Sequence, residues 1–450
     1  MPDPLPAAPR SDAALLRALG PWALTAGIVN VTIGGGIFRL PGSAAQVLGA
    51  AAPLAWVCCA LVMGIVVVCF AEAGSRVALT GGPYAYVEVA FGPLVGFLVG
   101  VLLWAAMSAA LAAVTTFFAD SLGALLPPFA GPVARVVTVI AVLGALALLN
   151  VRGVRGASRF NNVMTLAKLA PLALFVLVGA FAVRGENLAV AAVPPGAELA
   201  HASALLIFAF LGMEAALMPS GEVRDPARTV PRAVFVALLA VTVVYLAVHL
   251  VSQGVLGPAL AGRPTPVADA AGAALGGWGR TLVLVGSVVS MFGYVSGMTL
   301  AVPRALLAFG RDGFLPAPLA AVHPRFRTPH VAIVVQTVVT VGLALSGAFE
   351  TLALAANGAA LIAYAACCAA AWQLRRTDVR QAGGVPFRSP LGAVAPWLAL
   401  AGIAWLLVGL TAREWIAIAA LVGVGAVLYA VTRGRREAMA AVASAEAGGR

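Results

Sequence analysis

The chain has 450 residues, of which 62% are apolar and only 10% are charged, and its mean hydropathy is +1.01. Soluble globular proteins carry about 25% charged residues, so this composition excludes an ordinary soluble enzyme. The formal net charge of +11 comes from arginines scattered between apolar runs, a pattern that encodes membrane topology rather than nucleic-acid binding. The five cysteines have no metal-ligand spacing and are expected to be small core residues. The sequence predicts an all-α polytopic membrane protein.

Twelve apolar segments are long enough to cross a bilayer, because one spanning helix needs about 20 apolar residues. The segments are 22–49, 52–71, 94–126, 133–150, 162–183, 202–221, 232–256, 278–309, 330–347, 351–372, 391–410 and 415–432. We expect residues 21–372 to form a ten-helix core, to which 391–432 add helices 11 and 12. The positive-inside rule places the arginine-rich 1–20, 373–390 and 433–450 in the cytoplasm. Both tails are therefore predicted to be cytoplasmic.

Two of the twelve segments contain residues that interrupt a helix. The first has three successive glycines, Gly34–Gly36, and each glycine costs about 1 kcal/mol of helix propensity relative to alanine. The sixth has Gly212, followed by the carboxylate of Glu214. The two breaks are separated by about half of the ten-helix core, so they occupy matching positions in two five-helix halves, about 21–185 and 200–372. Because five is odd, the two halves are expected to be inverted in the membrane.

An interrupted helix leaves backbone groups unpaired, and paired breaks at matching positions indicate the binding site of a secondary transporter. The N–H groups from Gly35 to Ile37 are expected to bind a substrate carboxylate, and carbonyls such as those of Thr32 and Leu211 to accept hydrogen bonds from its ammonium. The predicted substrate-binding residues are Thr32, Ile33, Gly34, Gly35, Gly36, Ile37, Phe208, Ala209, Leu211 and Gly212. Phe208 is placed to cover a bound substrate. The alternative is that the glycines only allow close helix packing.

Among the ionisable side chains in or at the ends of apolar segments, five have residue types and positions that bear on function. Lys168, the only lysine, is a candidate for proton coupling, because an intramembrane lysine is costly; the alternative is that it extends to the headgroups. Glu214 is a second coupling candidate, or it accepts hydrogen bonds from neighbouring backbone. Glu72 and Asp120 lie at segment ends and are expected to be solvated. His249 is expected to be a packing residue whose ring nitrogens are satisfied.

Several motifs together resemble the amino acid–polyamine–organocation (APC) family. The matching segments are 33–41 at helix 1, 81–86 and 91–93 before helix 3, 208–214, 222–226 and 229–233 around helix 6, and 311–316 after helix 8. The resemblance implies a LeuT-like fold, in which a 5+5 inverted repeat with broken helices 1 and 6 is followed by two further helices. It also implies carboxylate binding by Gly35 and Gly36, an aromatic gate at Phe208 and proton coupling through Lys168 and Glu214.

The leading expectation is a secondary active transporter of amino acids in a bacterial inner membrane. Neutral amino acids are favoured, since Glu214 is the only obvious countercharge near the breaks. The expected partners are a small-molecule substrate and the lipid bilayer, without nucleic acid. The proton is the expected coupling ion, and no cofactor or metal is expected. An exchanger of amino acids or amines is the nearest alternative, followed by a channel. A membrane-embedded enzyme would need a convergent catalytic set that the sequence lacks.

Overall fold

The computed structural model describes residues 20–77, 83–152, 157–190, 192–213, 226–326, 328–347, 349–381 and 385–434, with the backbone alone for 23, 157–167 and 226–227. Throughout these ranges the structure is helical and contains no β-strand. Its α-helices are α1 (Pro21–Thr32), α2 (Gly36–Leu48), α3 (Ala52–Arg76), α4 (Pro83–Phe91), α5 (Pro93–Leu125), α6 (Pro132–Arg152), α7 (Ala157–Gly179), α8 (Gly196–Leu206), α9 (Pro226–Leu256), α10 (Pro266–Leu275), α11 (Gly277–Ala301), α12 (Pro303–Arg311), α13 (His330–Ser346), α14 (Phe349–Arg376), α15 (Ala395–Val408) and α16 (Ala412–Val431). The all-α prediction is confirmed.

Proline and glycine determine many of the helix ends. A proline occupies the first turn of α1, α3, α5, α10 and α12, where its missing N–H has no intrahelical partner to lose. Gly92 and Gly276, with φ of 87° and 79°, allow the sharp turns that lead into α5 and α11. The helices consequently begin within a few residues of most predicted segments, apart from α7, α8 and α9, which begin five or six residues earlier.

Most of the described helices are apolar enough to lie in a bilayer. Seven helical stretches are long enough to cross it: Gly36–Arg76, Pro93–Leu125, Pro132–Arg152, Arg228–Leu260, Gly277–Arg311, Phe349–Arg376 and Ala412–Val431. Four shorter apolar helices are Lys168–Ala182, Gly196–Phe210, His330–Ser346 and Gly392–Val408. Large apolar side chains on α6 and α16, such as Ile140 and Val427, are exposed, as expected for helices that face lipid. The chain is a multi-pass membrane protein.

The helices pack in two groups. Helices α1 and α3 both pack against α9, and α8 packs against α3; these four helices are called the bundle below. Helices α5, α6, α11 and α13 form the second group, called the scaffold. Helix α14 packs along both α5 and α3. It therefore connects the scaffold to the bundle.

Both predicted breaks are interruptions of the helical backbone. Helix α1 ends at Thr32, and α2 begins only at Gly36. Helix α8 ends at Leu206, continues as a 3₁₀ turn over Ile207–Phe210 and then turns away at Gly212, whose φ is +105°. A Cβ atom at Gly212 would lie 2.9 Å from Cγ1 of Val31, so the two breaks touch each other. Glu214 lies outside the described residues.

Candidate functional site

The two breaks line one small cavity, which in this conformation is almost closed, with a volume of about 10 Å³. The lining residues are Thr32, Gly34, Gly35, Gly36, Ala110, Val114, Phe208, Ala209, Leu211 and Tyr294. Seven of the ten predicted substrate-binding residues are among them. Ile33, Ile37 and Gly212 are buried beside the cavity but do not line it.

The first turn of α2 presents unpaired backbone donors at this cavity. Among the described residues, the N–H groups of Gly35, Gly36 and Ile37 have no hydrogen-bond partner, whereas the next one, that of Phe38, bonds to the Gly35 carbonyl at 3.1 Å. Unpaired N–H groups at a helix N-terminus carry a partial positive charge. Because glycine has no side chain, a ligand can approach these donors closely. The arrangement suits a carboxylate.

Side chains from other helices bind the carbonyls at the end of α1. The Lys168 ammonium of α7, whose residue is 2% exposed, donates to the Asn30 carbonyl. The Tyr245 hydroxyl of α9 lies 3.0 Å from the Thr32 carbonyl and 2.8 Å from the Ala209 carbonyl, so it contacts both breaks. A cation at a helix C-terminus is favourable, because that end carries a partial negative charge. Lys168 therefore stabilises the first break and does not extend to the headgroups.

The end of α8 is stabilised in a similar way. The fully buried Asn357 of α14 donates its amide to the Ala204 carbonyl at 2.6 Å and to the Leu205 carbonyl at 3.3 Å. With Tyr245 on Ala209, two side chains thus satisfy three carbonyls around the second break. Pairing these carbonyls stabilises the second break, because each unpaired polar group buried in a membrane costs roughly several kcal/mol.

Thr32 can contact a ligand through its side-chain hydroxyl, whereas the sequence indicated its backbone carbonyl. Its carbonyl already accepts the Gly34 N–H at 2.9 Å and lies 3.0 Å from the Tyr245 hydroxyl. Its hydroxyl has no hydrogen-bond partner within the described part of the chain, although the residue is buried and lines the cavity. By contrast, the hydroxyls of Thr25 and Thr115 bond to the carbonyls four residues earlier. In this conformation the Thr32 side chain is the group free to contact a ligand.

Aromatic rings close one side of the cavity. The Phe208 ring meets the Phe349 ring edge-on with 5.4 Å between centroids, and Phe349 lies 5.7 Å from Phe117. Arg39 of α2 lies over the Phe117 ring and forms an ion pair with Glu350 of α14 at 2.9 Å. Phe208 therefore belongs to a layer of three rings that an ion pair between α2 and α14 covers.

A second ion-pair network joins α3 to the far end of α14. The Glu72 carboxylate, in a residue that is 2% exposed, accepts hydrogen bonds from two nitrogens of Arg375 and lies 3.3 Å from Arg76. Arg76 also donates to the Val379 carbonyl at 3.4 Å. The expectation that Glu72 is solvated was wrong, because a partner about 300 residues away in sequence covers it. Only Asp120 behaves as expected: it pairs with Arg135 at the protein surface, at 2.8 Å.

The loop after α14 adds to this network outside the helices. Arg380 forms an ion pair of 2.7 Å with Asp378, and this hydrogen bond lowers the pKa of the Asp378 carboxyl below its ordinary value. The Phe387 N–H donates to the Ser75 hydroxyl at 2.9 Å. The end of α3 is consequently held both by α14 and by the segment that follows it.

Sequence reasoning missed Tyr245 and misjudged His249, which lies one turn further along α9. His249 is fully buried beside Trp56, but neither ring nitrogen has a hydrogen-bond partner among the described residues. It is therefore not the satisfied packing residue that was expected. The available signal was the spacing of Tyr245, His249 and Gln253 at intervals of four residues, which puts three polar side chains on one face of an apolar helix.

The described residues contain no cluster of three or more His, Cys, Asp or Glu side chains that could hold a metal ion. The polar groups of the cavity are instead backbone donors and hydroxyls.

Comparison with known proteins places this geometry in a family. The family described as amino acid permease matches residues 19–431. A methylthioribose transporter of Bacillus subtilis (strain 168) is 29% identical over 431 residues, 92% of this chain and 93% of that protein. The branched-chain amino acid permease BcaP is 28% identical in Bacillus subtilis (strain 168), over 72% of this chain and 74% of that protein. The BcaP of Lactococcus lactis subsp. cremoris (strain MG1363) is 27% identical, over 85% of this chain and 87% of that protein. The chain belongs to the amino acid permease family, of the APC type that its motifs resemble.

Proposed function

We propose that this permease is a secondary active transporter that carries neutral amino acids across the cytoplasmic membrane by alternating access. The observation that carries the proposal is the meeting of the two breaks at one cavity. There the N–H groups of Gly35 and Gly36 would bind the substrate carboxylate, and the Thr32 hydroxyl and nearby backbone carbonyls would bind its ammonium. A zwitterion satisfies both kinds of group at once.

The side chain of the substrate would lie against Ala110, Val114 and Leu211, which are apolar. None of the described residues that line the cavity is charged, so among them a cationic or anionic side chain would be buried without a partner, at a high cost. Branched apolar amino acids suit this apolar lining. Two relatives are named branched-chain amino acid permeases, which agrees with this substrate class. Methylthioribose, from the name of another relative, is a second candidate. Its lack of a carboxylate would leave the glycine donors unused.

The helices support the twelve-span, LeuT-like arrangement. The broken pair α1 and α2 forms the first span and α8 begins the sixth, which leaves α15 and α16 after the ten-helix core. With both tails in the cytoplasm, Arg39 and Glu350 lie on the outer side, and Glu72 and Arg375 on the inner side. The bundle would then move against the scaffold around the cavity.

Opening the cavity to either side would require one ion pair to break. The Arg39–Glu350 pair and the rings of Phe208, Phe349 and Phe117 would separate when the cavity opens outward. The Glu72–Arg375 pair would separate when it opens inward. Because both pairs are formed at the same time in this structure, the conformation is closed on both sides.

Lys168 would couple transport to protons. Its ammonium bonds to the Asn30 carbonyl, so loss of its proton would weaken the contact between α7 and the first break. Glu214 remains a second candidate. In the alternative, an exchanger, Lys168 is a fixed cation and substrate on the far side drives transport.

Uptake of labelled compounds into proteoliposomes tests the proposal. The panel comprises valine, leucine, arginine, glutamate and methylthioribose, each with and without an inward proton gradient. The proposal expects valine and leucine to accumulate and the gradient to increase their uptake. Uptake only into vesicles preloaded with substrate would establish the exchanger. Accumulation of methylthioribose without any amino acid would reject the amino acid site.

A further inference from the structure

One face of α9 carries a row of buried polar side chains through the apolar bundle. Tyr245, His249 and Gln253 follow one another at intervals of four residues, and each is 2% exposed or less. Four residues of α-helix rise about 6 Å, so the row extends roughly 12 Å along the helix. At one end the Tyr245 hydroxyl contacts both helix breaks. At the other end the Gln253 amide donates to the Asn187 carbonyl at 3.3 Å, in the loop between α7 and α8.

Polar atoms without partners are concentrated along this row. Among the described residues, those of the α9 face are both ring nitrogens of His249, Oγ of Ser252 and Oε1 of Gln253. Beside His249, Nε1 of Trp56 on α3 also has no partner among these residues. The Trp56 ring lies 5.2 Å from the Tyr245 ring and 6.2 Å from the imidazole. We call this set of side chains the α9 polar row.

An unpaired buried polar group costs about 1–3 kcal/mol, so these five atoms require an explanation. Water provides one, since buried water typically makes about three hydrogen bonds to polar groups that otherwise lack partners. A row kept only for packing would more simply be built from apolar side chains.

We propose that the α9 polar row binds water and conducts the coupling proton from the outer end of α9 to the helix breaks, with His249 as its relay. The proposal rests on the proton coupling of the proposed function. In the relay step one ring nitrogen of neutral His249 accepts a proton from water on the Gln253 side. The other nitrogen then releases its own proton to water on the Tyr245 side. One proton is gained and one is lost, and the ring returns by tautomer exchange.

The surroundings of His249 favour a transient rather than a permanent charge. The titratable groups described on the segments that contact α9 are Arg39, Cys58, Cys59, Cys69, Glu72, Arg76, Lys168, Arg184, Glu186 and Asp269, together with Arg228, Arg232 and Tyr245 on α9 itself. No ion pair joins any of them to His249 within the described structure. A permanently protonated imidazole would be a buried charge without a partner, which is strongly destabilising.

Two nearby groups have other contacts. The Cys59 thiol donates to the Ser203 carbonyl at 3.1 Å, and the His201 ring lies 3.0 Å from the Gly409 carbonyl. His249 is the titratable side chain at the middle of the α9 polar row, between Gln253 and Tyr245.

The test compares gradient-driven uptake with exchange in proteoliposomes that contain the full-length protein. Labelled valine is the probe, and the variants are His249→Phe, Gln253→Leu and, as a matched control, His201→Gln. We expect the first two variants to lose about tenfold or more of the uptake driven by an inward proton gradient. Valine–valine exchange without a gradient should remain close to that of the wild type. The control should keep both activities.

The possible outcomes separate this inference from the proposed function. If the wild type responds to the gradient and both variants respond equally, the relay is wrong and proton coupling stands. If the wild type exchanges valine but ignores the gradient, both are wrong. If His249→Phe also loses exchange because it misfolds, Gln253→Leu becomes the test of the relay. That side chain is at the outer end of the row, far from the breaks, and normal gradient-driven uptake by this variant would overturn the proposal.

Discussion

Removing the charge of Glu72 should destabilise the protein far more than removing a carboxylate at the surface. Glu72→Gln leaves Arg375 and Arg76 without their shared carboxylate. Breaking a buried ion pair costs about 3–5 kcal/mol. We expect about 3 kcal/mol, the lower end of that range, because the Arg375 side chain is 23% exposed and Arg76 keeps the Val379 carbonyl.

The matched control is Asp120→Asn. Its ion pair with Arg135 is similarly short, but the two side chains are 37% and 35% exposed. Exposed pairs contribute about 0–1 kcal/mol. The free energy of unfolding, measured for both variants by SDS titration in mixed micelles, should therefore differ between them by about 2 kcal/mol or more.

A double-mutant cycle identifies the interaction itself. Arg375→Gln should be destabilising alone, but the double variant Glu72→Gln/Arg375→Gln should lose less than the sum of the two single losses, because neither partner is left unpaired. Equal losses for Glu72→Gln and Asp120→Asn, or strict additivity in the cycle, would refute the claim that this pair holds α3 to α14.

Three further substitutions test the helix breaks. Lys168→Ala should abolish the stimulation of valine uptake by a proton gradient while exchange persists; unaltered stimulation would exclude a coupling role. Tyr245→Phe leaves the Ala209 carbonyl without its donor and should lower the free energy of unfolding by about 1–3 kcal/mol, measured by SDS titration, whereas no change would mean that the hydroxyl does not connect the breaks. Gly212→Ala should be destabilising by about 1 kcal/mol or more, because the φ of +105° is strained for alanine. Gly27→Ala meets no atom within 4 Å and should be neutral or stabilising; equal effects at both glycines would contradict the reasoning.

The local features of this fold are predictable from the sequence. Apolar periodicity with prolines at helix starts predicts most helix ends to within a few residues, as at Ala52 and His330. The three glycines predict the interruption before Gly36, because no neighbouring residue compensates for their low helix propensity. Gly212 similarly predicts the turn after α8.

The non-local contacts were not predictable. Arg375 meets Glu72, and Tyr245 meets Thr32, across more than 200 residues of chain, and no spacing rule connects such positions. Sequence reasoning therefore assigned the Thr32 carbonyl to the substrate without the Tyr245 hydroxyl, which lies 3.0 Å from it. The four-residue spacing of polar residues on α9 was visible, but it is informative only when the helices that cover that face are known.

The central claim is that a zwitterion binds at the two breaks, and competition binding tests it most directly. Displacement of labelled valine from the purified protein is compared for valine, valinamide, which lacks the carboxylate, and 3-methylbutanoate, which lacks the amine. Hydrogen bonds to charged groups contribute about 1.5–3 kcal/mol each, so two of them amount to about 100-fold in affinity. The account predicts that valinamide and 3-methylbutanoate each bind about 100-fold more weakly than valine. Displacement by either analogue at the same concentration as valine would contradict it.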